Sequence, residues 1–248
     1  MRFIILLFLC ISPICSVNAQ KTITKQNLVW VSYFNNVQIG EKWIITSDIQ
    51  ERFFFKPVKQ HQYIVRSIAR YKIKNSGWDM GAGLCFFLAN NDPTRDYNLH
   101  VPEIRPTMDI YYQQKTKNIS VNHRYRLDAR FFKNTSGQEL ADGFSFTNMR
   151  FRYQIGLSIP LYKGKEDRNA LALKVAEEIH VNFGKKIIKN AMDQNRVTAG
   201  IQYAPNKDLA IELAYINWFQ QRTAGDTYFS RDIISLRITQ NIKITKKS

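Results

Sequence analysis

Arginine recurs at every second or fourth position in several stretches of this chain. Arg124, Arg126 and Arg130 enclose Asp128; Arg150 and Arg152, Arg66 and Arg70, and Arg105 two residues after Glu103 repeat the spacing. In an extended chain, even spacing places all of these groups on one face. A guanidinium is a rigid fork of donors that stays charged, so such a face has two chemical uses. It can pair with carboxylates, and Asp48, Glu103, Asp109, Asp128, Glu178 and Glu212 fall on matching positions. It can also bind or pass anions. Arg196 and Arg237 stand on the same kind of face. Pairing is the expected role for most of these side chains, and the excess of arginine over acid leaves anion contact as the second role.

Catalytic arrangements are weaker. Ser120 and His123 are near in sequence but on opposite faces of an extended segment, so they form no direct dyad. His61 and His100 lie near predicted loops without a nucleophile motif. The histidines and cysteines show no metal-ligand spacing. Gly81-Ala82-Gly83 lacks the third glycine and the following helix of a dinucleotide loop, and reads as strand glycines. No catalytic set, cofactor or metal is expected.

The elements that must carry the arginines are strands. Over Asn118–Phe131 every even position is polar, and every odd position except His123 is apolar or aromatic. That is period 2. A polar face opposite an apolar one suits a sheet half in water, or a membrane barrel with lipid outside and a wet lumen. The same alternation marks Leu28–Val37, Trp43–Phe55, Gln62–Lys74, Trp78–Leu88, His100–Gln113, Phe144–Pro160, Ala170–Phe183, Gln194–Tyr203, Leu209–Phe219 and Tyr228–Ile244. Leu28–Val37 is partly apolar on both faces. Pro102 and Pro106 signal an irregular strand, and Glu177 interrupts an apolar face, which suggests a bulge there.

Composition narrows the setting. The chain of 248 residues carries 36 Lys+Arg against 20 Asp+Glu, a formal charge of +16. Residues 1–19 read as a cleaved signal peptide: Arg2, an apolar run over Phe3–Ile11, and Val17-Asn18-Ala19 before the cut. Export argues against nucleic acid as the partner of the positive charge. Cys10 and Cys15 leave with the signal, so Cys85 remains alone and no internal disulfide is expected. After residue 20 no stretch approaches the roughly 18 apolar residues of a membrane helix. A spanning chain would therefore span with strands.

The rhythm of connections points to a barrel. Tight turns at 38–42, 75–77, 114–117, 163–169 and 205–208 alternate with longer loops at 56–61, 89–99, 133–143, 184–193 and 220–227. Short turns on one rim and long loops on the other are the pattern of an outer-membrane barrel. Trp30, Trp43, Trp78, Trp218, Phe53, Phe55, Phe131, Tyr112, Tyr203 and Phe219 lie near predicted strand ends, where aromatic rings form interfacial girdles. Bacterial barrels usually have an even number of strands. Omitting Leu28–Val37 gives that parity, so the expectation is about ten to twelve strands.

Glu103–Arg105 (EIR), Arg124–Arg130 (RYRLDAR), Arg150–Tyr153 (RFRY), Ala176–Ile179 (AEEI), Gln194–Arg196 (QNR) and Leu209–Tyr215 (LAIELAY) together carry a resemblance. In order and spacing the chain resembles a family of Gram-negative outer-membrane barrels catalogued only as a domain of unknown function. The resemblance implies a fold and a location but no activity. The terminal Ile244-Thr245-Lys246-Lys247-Ser248 departs from the aromatic last residue usual in such barrels.

The reading is thus all-β: a single antiparallel transmembrane β-barrel over residues 20–248 with a charged, Arg-rich lumen. It would act as a small pore or a structural wall protein of the outer membrane. Its expected partners are outer-membrane lipid, small anionic solutes and the barrel-assembly machinery. Two alternatives stand beside it: a lipid-active barrel enzyme, and a soluble exported β-sandwich that binds an anionic ligand.

Overall fold

A computed structural model describes residues 21–90, 99–116, 119–164, 169–223 and 225–244, with the backbone alone at Asn169. The predicted signal peptide, part of the 89–99 loop, parts of the 114–117 and 163–169 turns and the last four residues lie outside the described residues. No helix of the described residues is long and apolar enough to cross a membrane.

The strands are β1 (Thr22–Ile39), β2 (Trp43–Phe54), β3 (Lys59–Lys72), β4 (Trp78–Ala89), β5 (Val101–Lys115), β6 (Ser120–Ser136), β7 (Glu139–Lys163), β8 (Asn169–Phe183), β9 (Met192–Tyr203), β10 (Leu209–Gln221) and β11 (Thr227–Ile244). Each pairs with its sequence neighbour, and β1 closes the ring on β11. The closed barrel rules out a two-sheet sandwich. The expected strand number is met as eleven, and Leu28–Val37 belongs to a full wall strand that begins at Thr22. An odd count has a geometric consequence. Neighbours are antiparallel everywhere except the seam, where β1 and β11 run parallel from Thr22↔Thr227 to Ile39↔Ile244.

Alternation sorts the side chains. Outward positions carry exposed apolar groups, such as Leu84 at 60%, Met108 at 64% and Leu213 at 58% exposure. Inward positions carry the buried polar set, including Asp48, Glu103, Asp109, Arg126 and Asp128. Trp43 packs edge-on against Tyr71, and Trp78 stacks on Tyr112, all on the outer surface near the short-turn rim. Ser120 faces in and His123 faces out, where its Nδ1 lies 2.9 Å from Tyr153 Oη.

Several local expectations are corrected. The predicted loop at 133–143 is a β-ribbon that continues β6 and β7 beyond the wall. Gly137, at φ 60°, permits its tight turn, and Asn134 ties the two arms by donating to Asp142 O and accepting from Ser145 Oγ. The connection predicted over 56–61 shortens to 55–58. Glu177 causes no bulge. It accepts a hydrogen bond from Asn195 Nδ2 on the outer face, and the register shift falls at His180/Val181. Proline acts as expected in β5: the ladder to β6 is regular up to Ile104↔Phe131, resumes at Thr107↔Asp128, and has no pairs at Arg105 and Pro106.

Gly83 sets the spacing of β3 and β4. A Cβ there would lie 2.0 Å from Ser67 O and 2.7 Å from Ile68 Cα, both backbone atoms that cannot swing aside. Replacement of Gly83 by valine is expected to abolish the folded barrel. On a gel without boiling, the variant should run with the unfolded chain, while the parent keeps its fast, heat-modifiable band.

Candidate functional site

Strand register, more than sequence proximity, assembles the lumen. Asp48 is opposite Arg66, Asp109 opposite Arg126, Glu178 opposite Arg196 and Glu212 opposite Arg237. Arg126 lies opposite Arg152 and Asp128 opposite Arg150. The like-charge pair is tolerated because each arginine turns to an acid on another strand.

The contacts form a network. Arg126 grips Asp109 through Nε at 2.6 Å and Nη2 at 2.5 Å, and Tyr111 Oη donates to the same carboxylate. Glu103 accepts from Arg105 and from Arg130, with Nε distances of 2.5 and 2.6 Å. Glu178 is the hub: Arg124 Nη2 at 2.6 Å, Arg152 Nη2 at 2.8 Å, His180 Nε2 at 3.0 Å and Arg196 Nη1 at 3.7 Å surround it. Asp128 accepts from Thr107 and lies 3.6 Å from Arg152. Arg66 pairs with Asp48 at 2.6 Å, and Arg150 with Asp193 at 2.8 Å. Arg70 with Asp79 at 3.5 Å, and Arg237 with Glu212 at 3.4 Å, are looser. All the arginines and acids singled out in the sequence thus point inward, and each has an ionic partner.

Sequence reasoning missed a second group. Arg52 and Arg231 are buried with no carboxylate partner among the described residues. Arg52 donates to Gln50 and Gln62, and Arg231 to Gln26 and Gln220. Trp30 and Trp218, expected in the outer girdles, are 6% and 2% exposed and lie inside the barrel with Leu28, Phe54, Ile216 and Ile233. Parity carried the signal. Trp218 shares the even positions of β10 with Glu212, and Trp30 those of β1 with Gln26. Their nearness to strand ends outweighed it. His61, fully buried, lies 5.8 Å from Trp218 across the lumen.

A cavity of about 940 Å³ reaches the 184–191 connection and Arg222 and Thr223, and another, of about 720 Å³, lies by the 204–208 turn at the opposite rim. On β2, Ile44 lines the lower cavity and Gln50 the upper, with buried Asp48 between them. Among the described residues that line the upper cavity, Glu103, Glu178 and Asp193 face Arg52, Arg66, Arg105, Arg124, Arg130, Arg150, Arg152, Arg196, Arg222, Arg231 and Arg237. Such an imbalance in a confined space concentrates anions. Among the described residues, no group of His, Cys, Asp and Glu could hold a metal ion.

A closed strand barrel, apolar outside and arginine-lined within, is the class this geometry defines. Residues 27–229 match the model of a family described as a protein of unknown function, DUF2490, and the chain belongs to that family. Curated proteins give no match. Among solved structures, the NanC porin is similar at 13% identity, over 82% of this chain and 93% of that one, with a TM-score of 0.46. An anion-selective porin from Comamonas acidovorans is similar at 10% identity, over 79% of this chain and 55% of that one, with a TM-score of 0.34.

The contacts rank the pairs. Asp109→Asn leaves Arg126 buried with a weakened partner, and should destabilise the refolded barrel by about 3–5 kcal/mol. Arg237→Gln removes a loose pair whose arginine side chain is 41% exposed, and should cost at most about 1 kcal/mol. Urea unfolding midpoints of the two variants beside the parent measure the difference.

Proposed function

We propose that this chain is an integral outer-membrane barrel, non-enzymatic, whose lumen is a narrow pore for small anionic solutes. The observation that carries the reading is the upper cavity, where arginines far outnumber carboxylates inside a closed ladder with an apolar exterior. In hydrocarbon a strand protein must pair all of its backbone groups, and a closed barrel does so. A continuous exposed apolar surface is costly in water and natural in lipid. The predicted signal peptide and the family resemblance agree with an outer-membrane location. In this reading the buried Arg126–Asp109 and Arg66–Asp48 pairs fill the lumen below the upper cavity, and conductance is small. A lipid-active enzyme gains no support, since Ser120 and His123 face opposite sides of the wall.

Refolded protein in a planar bilayer should give small, steady openings whose reversal potential in a salt gradient favours anions. Arg124→Gln and Arg150→Gln should reduce that preference. Cation preference, or a folded and inserted barrel that stays silent, would overturn the pore.

A further inference from the structure

The arginines of the lumen fall into two populations. Those on β3 and β5–β7, and Arg237 of β11, lie against carboxylates. Arg52 of β2 and Arg231 of β11 have no carboxylate partner among the described residues, and Arg196 of β9 has only a distant one. Arg52, 6% exposed, stands 3.7 Å from the Trp30 ring, and Arg231, 1% exposed, 4.2 Å from the Trp218 ring. Arg196 stands between them, 4.4 Å from Trp218 and 5.5 Å from Trp30. The two indoles touch edge to face at 5.8 Å. Three guanidinium groups therefore surround one aromatic pair. Neutral glutamines orient them: Gln50 and Gln62 for Arg52, Gln26 and Gln220 for Arg231, and Gln194 for Arg196. The nearest acid in contact is Glu178, 3.7 Å from Arg196 and already engaged by Arg124 and Arg152.

Buried charge without a counter-charge is costly, and buried donors normally find acceptors. Trp30 Nε1, Trp218 Nε1, Arg52 Nε, Arg196 Nε and both ring nitrogens of His61 are buried and have no hydrogen-bond partner among the described residues. Indole and guanidinium nitrogens only donate. All but His61 belong to residues that line the upper cavity. The corner thus combines excess positive charge, unused donors and space reached from the long-loop rim. A ligand that satisfies it brings negative charge and several acceptors.

We infer that Arg52, Arg196 and Arg231, set around Trp30 and Trp218, form a binding seat for the oxyanion group, carboxylate or phosphate, of a solute that enters from the long-loop rim. The inference rests on the reading of the lumen as an anion path and names the residues that hold the anion.

The site contains its own reporter, because Trp30 and Trp218 lie within it while Trp43 and Trp78 lie on the outer wall. Tryptophan emission of the full mature chain, refolded in detergent, is titrated with inorganic phosphate and separately with glucuronate. Glucose and sodium chloride at matched ionic strength are the controls. A saturable change is expected with phosphate, with glucuronate or with both, and the pattern separates phosphate from carboxylate solutes. Arg52→Gln and Arg231→Gln should each weaken it about tenfold, the loss of one charge-assisted hydrogen bond. Arg52→Lys and Arg231→Lys keep the charge and serve where the glutamine variants do not fold. No saturable change in the folded parent overturns the seat, as does a response that persists undiminished in the folded variants. Partition into lipid vesicles, measured in parallel, separates the two levels of the argument. An inserted barrel without a response loses the seat alone, and a responding chain that stays out of vesicles loses the membrane reading alone.

Discussion

Backbone N–H and C=O groups in a wall of strands need partners, and here the two terminal strands find theirs where β1 meets β11. The parallel seam runs the full length of β1, from Thr22 to Ile39. Without it, two edge strands would stand open along the height of the sheet. Closure fixes how far the strands can tilt and how wide the lumen can be. Width in turn decides that side chains from facing walls meet, as His61 of β3 meets Trp218 of β10.

Once the walls are that close, desolvation governs the interior. An arginine removed from water needs a carboxylate, a set of amide oxygens or an aromatic face. The barrel uses all three, and distributes them unevenly around its circumference. Most arginines meet acids, and Glu178 alone collects Arg124, Arg152, His180 and Arg196. Around Arg52 and Arg231, near the seam, glutamines and indoles take their place. The first arrangement is a filled, neutralised wall. The second leaves net positive charge beside open volume, and so is the side with chemistry to offer a solute.

Much of this was legible in the sequence because period 2 is a local signal. The strands, the inward arginines and the rim-to-rim rhythm of turns all follow from alternation. Three features were not legible, each for a physical reason. Register is a relation between strands, so the match of Asp109 to Arg126 and not to Arg124 needed the structure. The ribbon at 133–143 looked like a loop because its residues are polar, yet polar residues are what a ribbon standing clear of the wall requires. Trp30 and Trp218 sat where rings usually mark an interface. Their parity placed them inside, and the apolar inward cluster with Leu28 and Phe54 explains why β1 looked apolar on both faces.

The odd number of strands has one more consequence. In an even barrel the wall begins and ends on the same rim. Here Thr22 pairs with Thr227 at one rim, and Gly40 N–H donates to Ile244 O at the other. In any bilayer that such a barrel spans, Thr22 and Ile244 stand at opposite faces. An odd count thus gives the wall a direction that an even count lacks, with its first and last residues at opposite rims.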